Sequence, residues 1–306
     1  MKLALEEALL MKIFTDSACD LAYAYLQEND VEVFPLTTLL DTGEYEDMIE
    51  IQADKVYEMI GRGGHPKTSQ VSLEKFLSGF RKAAEAGESG IYISLSAKLS
   101  GTYQAAYLAH QQLKEEFPDF DLRLVDSMSA SVGEGLSVVE AIEMREAGFT
   151  LDEIESRVRF TAANVVSLFT VKDLNYLADG GRLSKSSAFF GGLLNIQPLL
   201  EVINGELVPV EKLRGRKKVM NRMYERLRDE ADMIQEQNVF LCHSDDAEAI
   251  EEMRQYIEEH FHPRRIYVNT IGSTISSHTG LGTLGLFFLK KYEYQYACYK
   301  KATICK

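Results

Sequence analysis

The chain has 306 residues, 45% hydrophobic and 26% charged, proportions that exclude collagen, coiled coil and wholesale disorder. Its 33 Lys+Arg against 47 Asp+Glu leave a formal net charge of −14, which argues against a protein whose main task is to neutralise nucleic-acid phosphates. The most apolar stretch, 188–203, is broken by Asn195, Gln197 and Pro198, so it falls short of the roughly 20 apolar residues of a membrane span.

Residues 1–10 read as an N-terminal extension. Met11-Lys12 is a second candidate start, and Glu6 and Glu7 interrupt any signal-peptide core. Segments 12–15, 31–40, 90–95 and 122–125 are β-rich. Between them, 73–84 carries Leu73, Phe76, Leu77, Phe80, Ala83 and Ala84, the one-sided stripe of an amphipathic helix. Segments 103–117 and 136–146 repeat that pattern, and Thr150 with Glu153 forms a capping box that opens another helix. Strands alternating with helices predict a parallel sheet covered on both faces, an α/β class fold.

The second half reads differently. Segment 165–170 is a strand, and Asn204-Gly205 between apolar runs predicts a hairpin over 198–210. Strands at 238–242 and 266–270 flank a helix at 247–259, and 284–289 reads as an apolar helix after a glycine-rich turn. These elements predict two α/β domains, 11–164 with a parallel sheet and 165–306 with a mixed or antiparallel one. Cys19, Cys242, Cys298 and Cys305 form no C-x-x-C pair and no zinc spacing, so free thiols and a reducing cytoplasm are expected, with no metal site.

Two nucleotide motifs fail on inspection. In 61–69 a proline, Pro66, stands where a phosphate loop needs its second glycine, and proline has no N–H to offer a phosphate. Gly280, Gly282 and Gly285 fit G-x-G-x-x-G, but too little chain follows for a dinucleotide-binding unit. The strand ends are more informative. Thr15-Asp16-Ser17, Ser94-Leu95-Ser96 with Ser100-Gly101-Thr102, and Asp126-Ser127 place short donors beyond strand carboxyl ends, where open α/β sheets bind ligands and where the same residues cap helices. His278, among Ser276, Ser277, Thr279 and Gly280, reads equally as a ligand contact or a packed histidine. Arg182 after Gly180-Gly181 suits an anion contact or an ordinary surface position. Eight basic residues between Lys212 and Arg228 form either a solvated helix face or a docking surface. A phosphoryl-transfer enzyme, with Asp16 and Asp126 on Mg²⁺ and this cluster on phosphates, is the alternative from another class.

Taken in order, nine segments resemble the DegV family. They are Thr15-Asp16-Ser17 with Asp20-Leu21, Pro35-Leu36, Lys67-Thr68-Ser69-Gln70 with Ser72, and Leu99-Ser100-Gly101-Thr102-Tyr103-Gln104 with Ala106. Then come Val125-Asp126-Ser127 with Ser129-Ala130, Leu177 with Gly180-Gly181-Arg182, and Leu194-Asn195-Ile196 with Pro198. Lys212 with Arg214-Gly215, and His278-Thr279-Gly280 with Gly282 and Leu284-Gly285-Leu286, complete the set. The resemblance implies a two-domain α/β fold enclosing one long-chain fatty acid, and no catalytic residue or cofactor of its own. It implies a carboxylate held by Thr68 and Ser100, with Ser69, Gly101, Thr102, Arg182, His278 and Thr279 around it. Arg214, Arg216 and Lys217 would lie near the head group or face a partner. That partner would be a separate ATP-dependent fatty acid kinase subunit in the cytoplasm, with neither nucleic acid nor an integral membrane association. A lipid sensor or carrier without such a partner is the nearest alternative. Segments 189–200 and 286–289 are the expected walls of the lipid tunnel.

Overall fold

The structure, a computed structural model, describes residues 11–183 and 196–292. The expected extension at 1–10, residues 189–195 of the expected tunnel wall, and Cys298 and Cys305 lie outside the described residues.

The first sheet is built from β1 (Met11–Asp16), β2 (Val31–Phe34), β6 (Ser89–Ser94) and β7 (Leu122–Asp126) in the order β2-β1-β6-β7, all parallel. Pro35 divides the expected 31–40 strand, because proline cannot donate to a ladder. Beyond it, β3 (Thr37–Leu40) joins β4 (Gly43–Glu46) and β5 (Lys67–Ser69) in a small antiparallel sheet. Short helices α1 (Tyr23–Glu28) and α2 (Ala53–Gly61) precede α3 (Leu73–Glu85), whose stripe packs Phe76 and Phe80 against Phe14, Phe34 and Tyr92. Most of these rings meet edge to face or tilted, and Phe14–Phe34 and Phe76–Phe80 stack, with neighbouring centroids 4.5 to 6.0 Å apart, arrangements aromatic quadrupoles favour when offset. On the same side lies α4 (Thr102–Glu116).

Helix α5 (Val132–Glu146) starts four residues before the expected 136 and is not amphipathic, with twelve of its fifteen residues buried. A helix buried all round needs cover on every side. Here the cover comes from both halves of the chain: the core around Leu136, Val139 and Ile142 includes Ile13 and Ile91 from the first sheet and Phe240, Cys242 and Phe287 from the second. Helix α6 (Leu151–Asn164) opens with the expected Thr150–Glu153 box, both hydrogen bonds being present.

The second sheet runs β10-β9-β8-β13-β11-β12. It comprises β8 (Val165–Thr170), β9 (Ile196–Ile203), β10 (Glu206–Arg214), β11 (Asn238–His243), β12 (Arg265–Thr270) and β13 (Leu284–Leu289). Only β11 and β12 are parallel, so the sheet is mixed. The hairpin at Asn204-Gly205 forms as expected, both residues taking positive φ. The apolar run 284–289 is a strand, not the expected helix. It lies between β8 and β11 with all six residues buried, and a short run covered on both faces carries no periodicity to distinguish the two. The remaining helices are α7 (Leu174–Asp179), α8 (Arg216–Glu230), α9 (Ala247–Phe261) and α10 (Ser273–Thr279).

Candidate functional site

A cavity with about 780 Å³ of empty space lies where the carboxyl ends of β1's neighbours, β5, α10 and the second sheet meet. Its wall is mostly apolar, with Leu36, Leu95, Phe169, Val202, Ile275 and Phe287 among the lining residues. Of the walls expected from sequence, Phe287 alone among 286–289 faces the cavity, and Leu199 and Leu200 sit in solid core. Strand alternation explains this, since Leu286 and Phe288 point to the opposite face of β13.

One end of the cavity is polar. Thr68, Ser69, Ser100, Arg182, His278 and Thr279 all line it, joined by Gln70. β5 positions Thr68 by pairing it with Thr38 of β3. α10 positions Thr274, Ile275, His278 and Thr279 on one face, the spacing of a single helical side. Thr68 Oγ1 and His278 Nε2 are 2.7 Å apart, and His278 Nδ1 is 3.2 Å from the Gly180 carbonyl. Gly180 leaves room for the ring, since a Cβ on it would stand 3.1 Å from that imidazole nitrogen and push it aside by a few tenths of an ångström. Burial, then the nearby Arg182 guanidinium, lower the His278 pKa to about 4, so the ring is neutral near pH 7.

Ser100 Oγ lies 2.8 Å from Thr102 Oγ1 and accepts from the Thr102 amide. Thr102 itself is fully buried behind Ser100, where its hydroxyl accepts from the Val71 amide at 3.4 Å. Thr102 therefore supports the wall rather than lining it. Gly101 has no place in the lining either. It makes room for Gln70, whose Oε1 would lie 2.1 Å from a Cβ at 101.

Outside this polar end is an open vestibule of about 880 Å³ that shares Thr68, Arg182 and His278 with the cavity. His65, Lys67, Tyr176, Asp179 and Ser277 complete it. Sequence reasoning missed His65 and Tyr176, whose rings stack at 5.0 Å; nothing local pairs two residues so far apart in the chain. Arg182 stands at the shared mouth, its Nη1 donating to the Gly180 carbonyl at 2.9 Å and its Nε to the Leu99 carbonyl at 3.4 Å. The guanidinium thus faces both spaces and forms no ion pair with a described carboxylate.

The basic cluster is elsewhere, and four of its eight residues are ion-paired with described residues. Arg216 pairs with Asp246, Arg222 with Glu211 and Glu225, Arg226 with Glu201 and Glu230, and Arg228 with Asp229. Arg214 and Lys217 form no ion pair with another described residue. None of Arg214, Arg216 and Lys217 lines the cavity or the vestibule.

Asp16 and Asp126, the candidate Mg²⁺ ligands of the enzyme reading, are occupied by the chain itself. Asp16 accepts from the amides of Ala18 and Leu95 and from Tyr92 Oη, and Asp126 from the amides of Ala97 and Met128. Among the described residues no group of three or more His, Cys, Asp or Glu is placed to hold a metal. No helix of the described residues is long and apolar enough to cross a membrane.

A family model described as an uncharacterised protein of the DegV family matches residues 10–291. The chain belongs to the DegV family. A DegV domain-containing protein from Clostridium perfringens is 38% identical over 280 residues, 90% of this chain and 96% of the relative. A DegV family protein from Thermus thermophilus, described as binding fatty acid, superposes with a TM-score of 0.84 at 32% identity, covering 90% of this chain and 98% of the other. The DegV fatty acid binding protein of Bacillus subtilis gives 0.78 at 28%, covering 90% and 98%. A stearic acid-binding protein from Eubacterium ventriosum gives 0.82 at 26%, covering 95% and 99%. The parallel first sheet and mixed second sheet of this DegV chain are therefore those of proteins solved as fatty acid binders.

Proposed function

We propose that this chain binds one long-chain fatty acid, tail in the apolar cavity and carboxylate at Thr68, Ser100 and His278. The observation that carries the reading is the cavity itself: an apolar space closed by one polar end, on the fold of proteins described as fatty acid binders. Such a site needs many apolar contacts for affinity and a few donors for orientation. Neutral hydroxyls hold the carboxylate, with the His278 ring behind Thr68, so no buried bidentate ion pair forms. That leaves its oxygen nucleophilic, since stabilising the ground state would raise the barrier to attack on a phosphoryl group.

The chain then serves as the substrate-presenting subunit of a fatty acid kinase rather than as the kinase. The vestibule supports this reading, because it brings Lys67, Arg182 and His278 to an opening beside the polar end. There a partner's ATP γ-phosphate would meet the carboxylate, forming an acyl phosphate and ADP in the cytoplasm. Cations at that mouth would offset the charge of the arriving nucleotide. Arg214 and Lys217, left without ion pairs to described residues, would face the partner.

Native mass spectrometry of the purified protein, followed by denaturing extraction, tests the first part. A released long-chain fatty acid is expected, together with a rise in melting temperature on adding one; neither appearing would defeat the proposal. For the second part, acyl phosphate should form from ATP only when a kinase subunit is added. Turnover by the isolated chain would make it an enzyme, and binding with no productive partner would leave a carrier or sensor.

A further inference from the structure

Residues 270–274, from the last residue of β12 into the first turn of α10, form a partition. Ile271 and Thr274 face the acyl cavity. Thr270, Gly272 and Ser273 line a second, open cleft, together with Leu21, Ala22, Met48 and Ile51 and with the polar Asp20, Asp47 and Asp54.

The first half of the chain holds that backbone from outside. Tyr57 Oη donates to the Ile271 carbonyl at 2.5 Å. The Gly272 amide donates to Asp20 Oδ1 at 2.9 Å and the Thr274 amide to Asp47 Oδ2 at 3.2 Å. Asn269 Nδ2 donates to the Asp20 carbonyl at 2.9 Å. The second carboxylate oxygen of Asp20 accepts from Ser131 Oγ, a hydroxyl on the cavity wall. Thus one aspartate ties the cavity lining to the partition.

Of the nine non-glycine residues with positive φ among the described residues, three lie here: Asp20, Met48 and Ser131, with φ of 52°, 66° and 55°, a conformation kept where surrounding contacts enforce it. Gly272 admits no side chain, because a Cβ there would stand 2.6 Å from Asp20 Oδ1. Asp20 and Asp47 are buried carboxylates that form no ion pair with a described residue. Apolar packing would close a cavity at lower cost than two desolvated carboxyls. Their presence marks a wall fixed at particular backbone amides.

Resting on the fatty acid reading above, we propose that residues 270–274 are the chain-length stop of the acyl cavity. Tyr57, Asp20 and Asp47 are its positioning residues, and releasing the partition joins the cavity to the cleft behind it, so that longer acyl chains fit.

The test measures dissociation constants of the full chain for palmitate, stearate, arachidate and behenate. In Tyr57→Phe, and further in Tyr57→Phe with Asp47→Asn, the preference for palmitate over behenate should shrink about tenfold, with palmitate affinity within about twofold of wild type. Adding Ala22→Trp, which fills the cleft from its exposed rim, should restore the wild-type preference. An unchanged chain-length preference in variants that still bind palmitate would overturn the proposal. Should the variants fail to fold, hydrogen exchange on the unaltered chain decides. The Gly272 and Thr274 amides should exchange faster with behenate bound than with palmitate, and equal protection would overturn the proposal. Failure of the unaltered chain to bind any of the four acids would instead defeat the fatty acid reading itself.

Discussion

Thr68 Oγ1 donates to His278 Nε2, a direction fixed from the far side of the imidazole. Nδ1 of the ring faces the Gly180 carbonyl, which can only accept, so in the neutral ring Nδ1 carries the proton and Nε2 accepts. The 2.7 Å contact then uses the Thr68 proton. For Thr68 to donate to a fatty acid carboxylate and keep its contact with His278, Nε2 gains a proton and becomes the donor. Head-group binding and His278 protonation are thereby coupled.

Coupling makes fatty acid binding take up a proton. The free ring titrates at about 4, and a carboxylate one hydroxyl away raises that value. Near pH 6, calorimetric binding enthalpies should differ between buffers of different ionisation enthalpy, and His278→Gln should abolish the difference. Buffer-independent enthalpies for the unaltered chain would break the coupling.

The same histidine gives the ligand-free protein an acid-sensitive step. A pKa lowered from 6.5 to about 4 in the folded state means the unfolded chain binds more protons in between. Stability from this site is therefore full above pH 6.5 and falls as pH drops toward 4, by up to about 3 kcal/mol. Asp16 acts in the opposite direction: burial raises its pKa to about 6, so its contribution falls as pH rises from 3.8 through 6. The measurement is accordingly a difference, the melting temperature of wild type minus that of His278→Gln. It should decrease between pH 6.5 and pH 4.

At the head group, Thr68→Val and Ser100→Ala should each weaken fatty acid binding about tenfold, the magnitude of one lost hydrogen bond to a charged acceptor. Melting temperatures without ligand should change little, because both side chains lie at the partly exposed mouth. Displacement of a fluorescent fatty acid reads the affinity.

Partner recognition separates from ligand binding. Charge reversal at Arg214 and Lys217 should weaken the complex with the kinase subunit while fatty acid affinity stays constant, since neither residue lines the cavity. Added salt should weaken the same complex by screening. Sedimentation at two ionic strengths measures both effects.

Within the fold, Arg157 meets Glu140 through Nη2–Oε1 at 2.7 Å and Nε–Oε2 at 3.0 Å, both residues buried. Arg157→Met alone should cost about 3–5 kcal/mol by leaving a buried carboxylate, whereas adding Glu140→Leu should recover most of it. Urea unfolding of the two variants gives the comparison.

Local patterning alone determined the elements whose signals are short-range. The α3 stripe, the Thr150–Glu153 box and the Asn204-Gly205 turn each act through neighbours within a few residues, where side-chain chemistry leaves few conformations. Ser100, beyond a strand end, was legible as a candidate donor for the same reason, whereas Thr68 entered through the family resemblance. The tertiary structure alone decided what those donors face. His278 meets Thr68 across 210 residues of sequence, and Phe287 rather than its neighbours enters the cavity because the sheet fixes which face of β13 looks inward. It also turned 284–289 from an expected helix into a central strand and paired much of the basic cluster with acidic neighbours. Burial on both faces and the ion pairs depend on long-range packing, whose geometry no local run of residues carries.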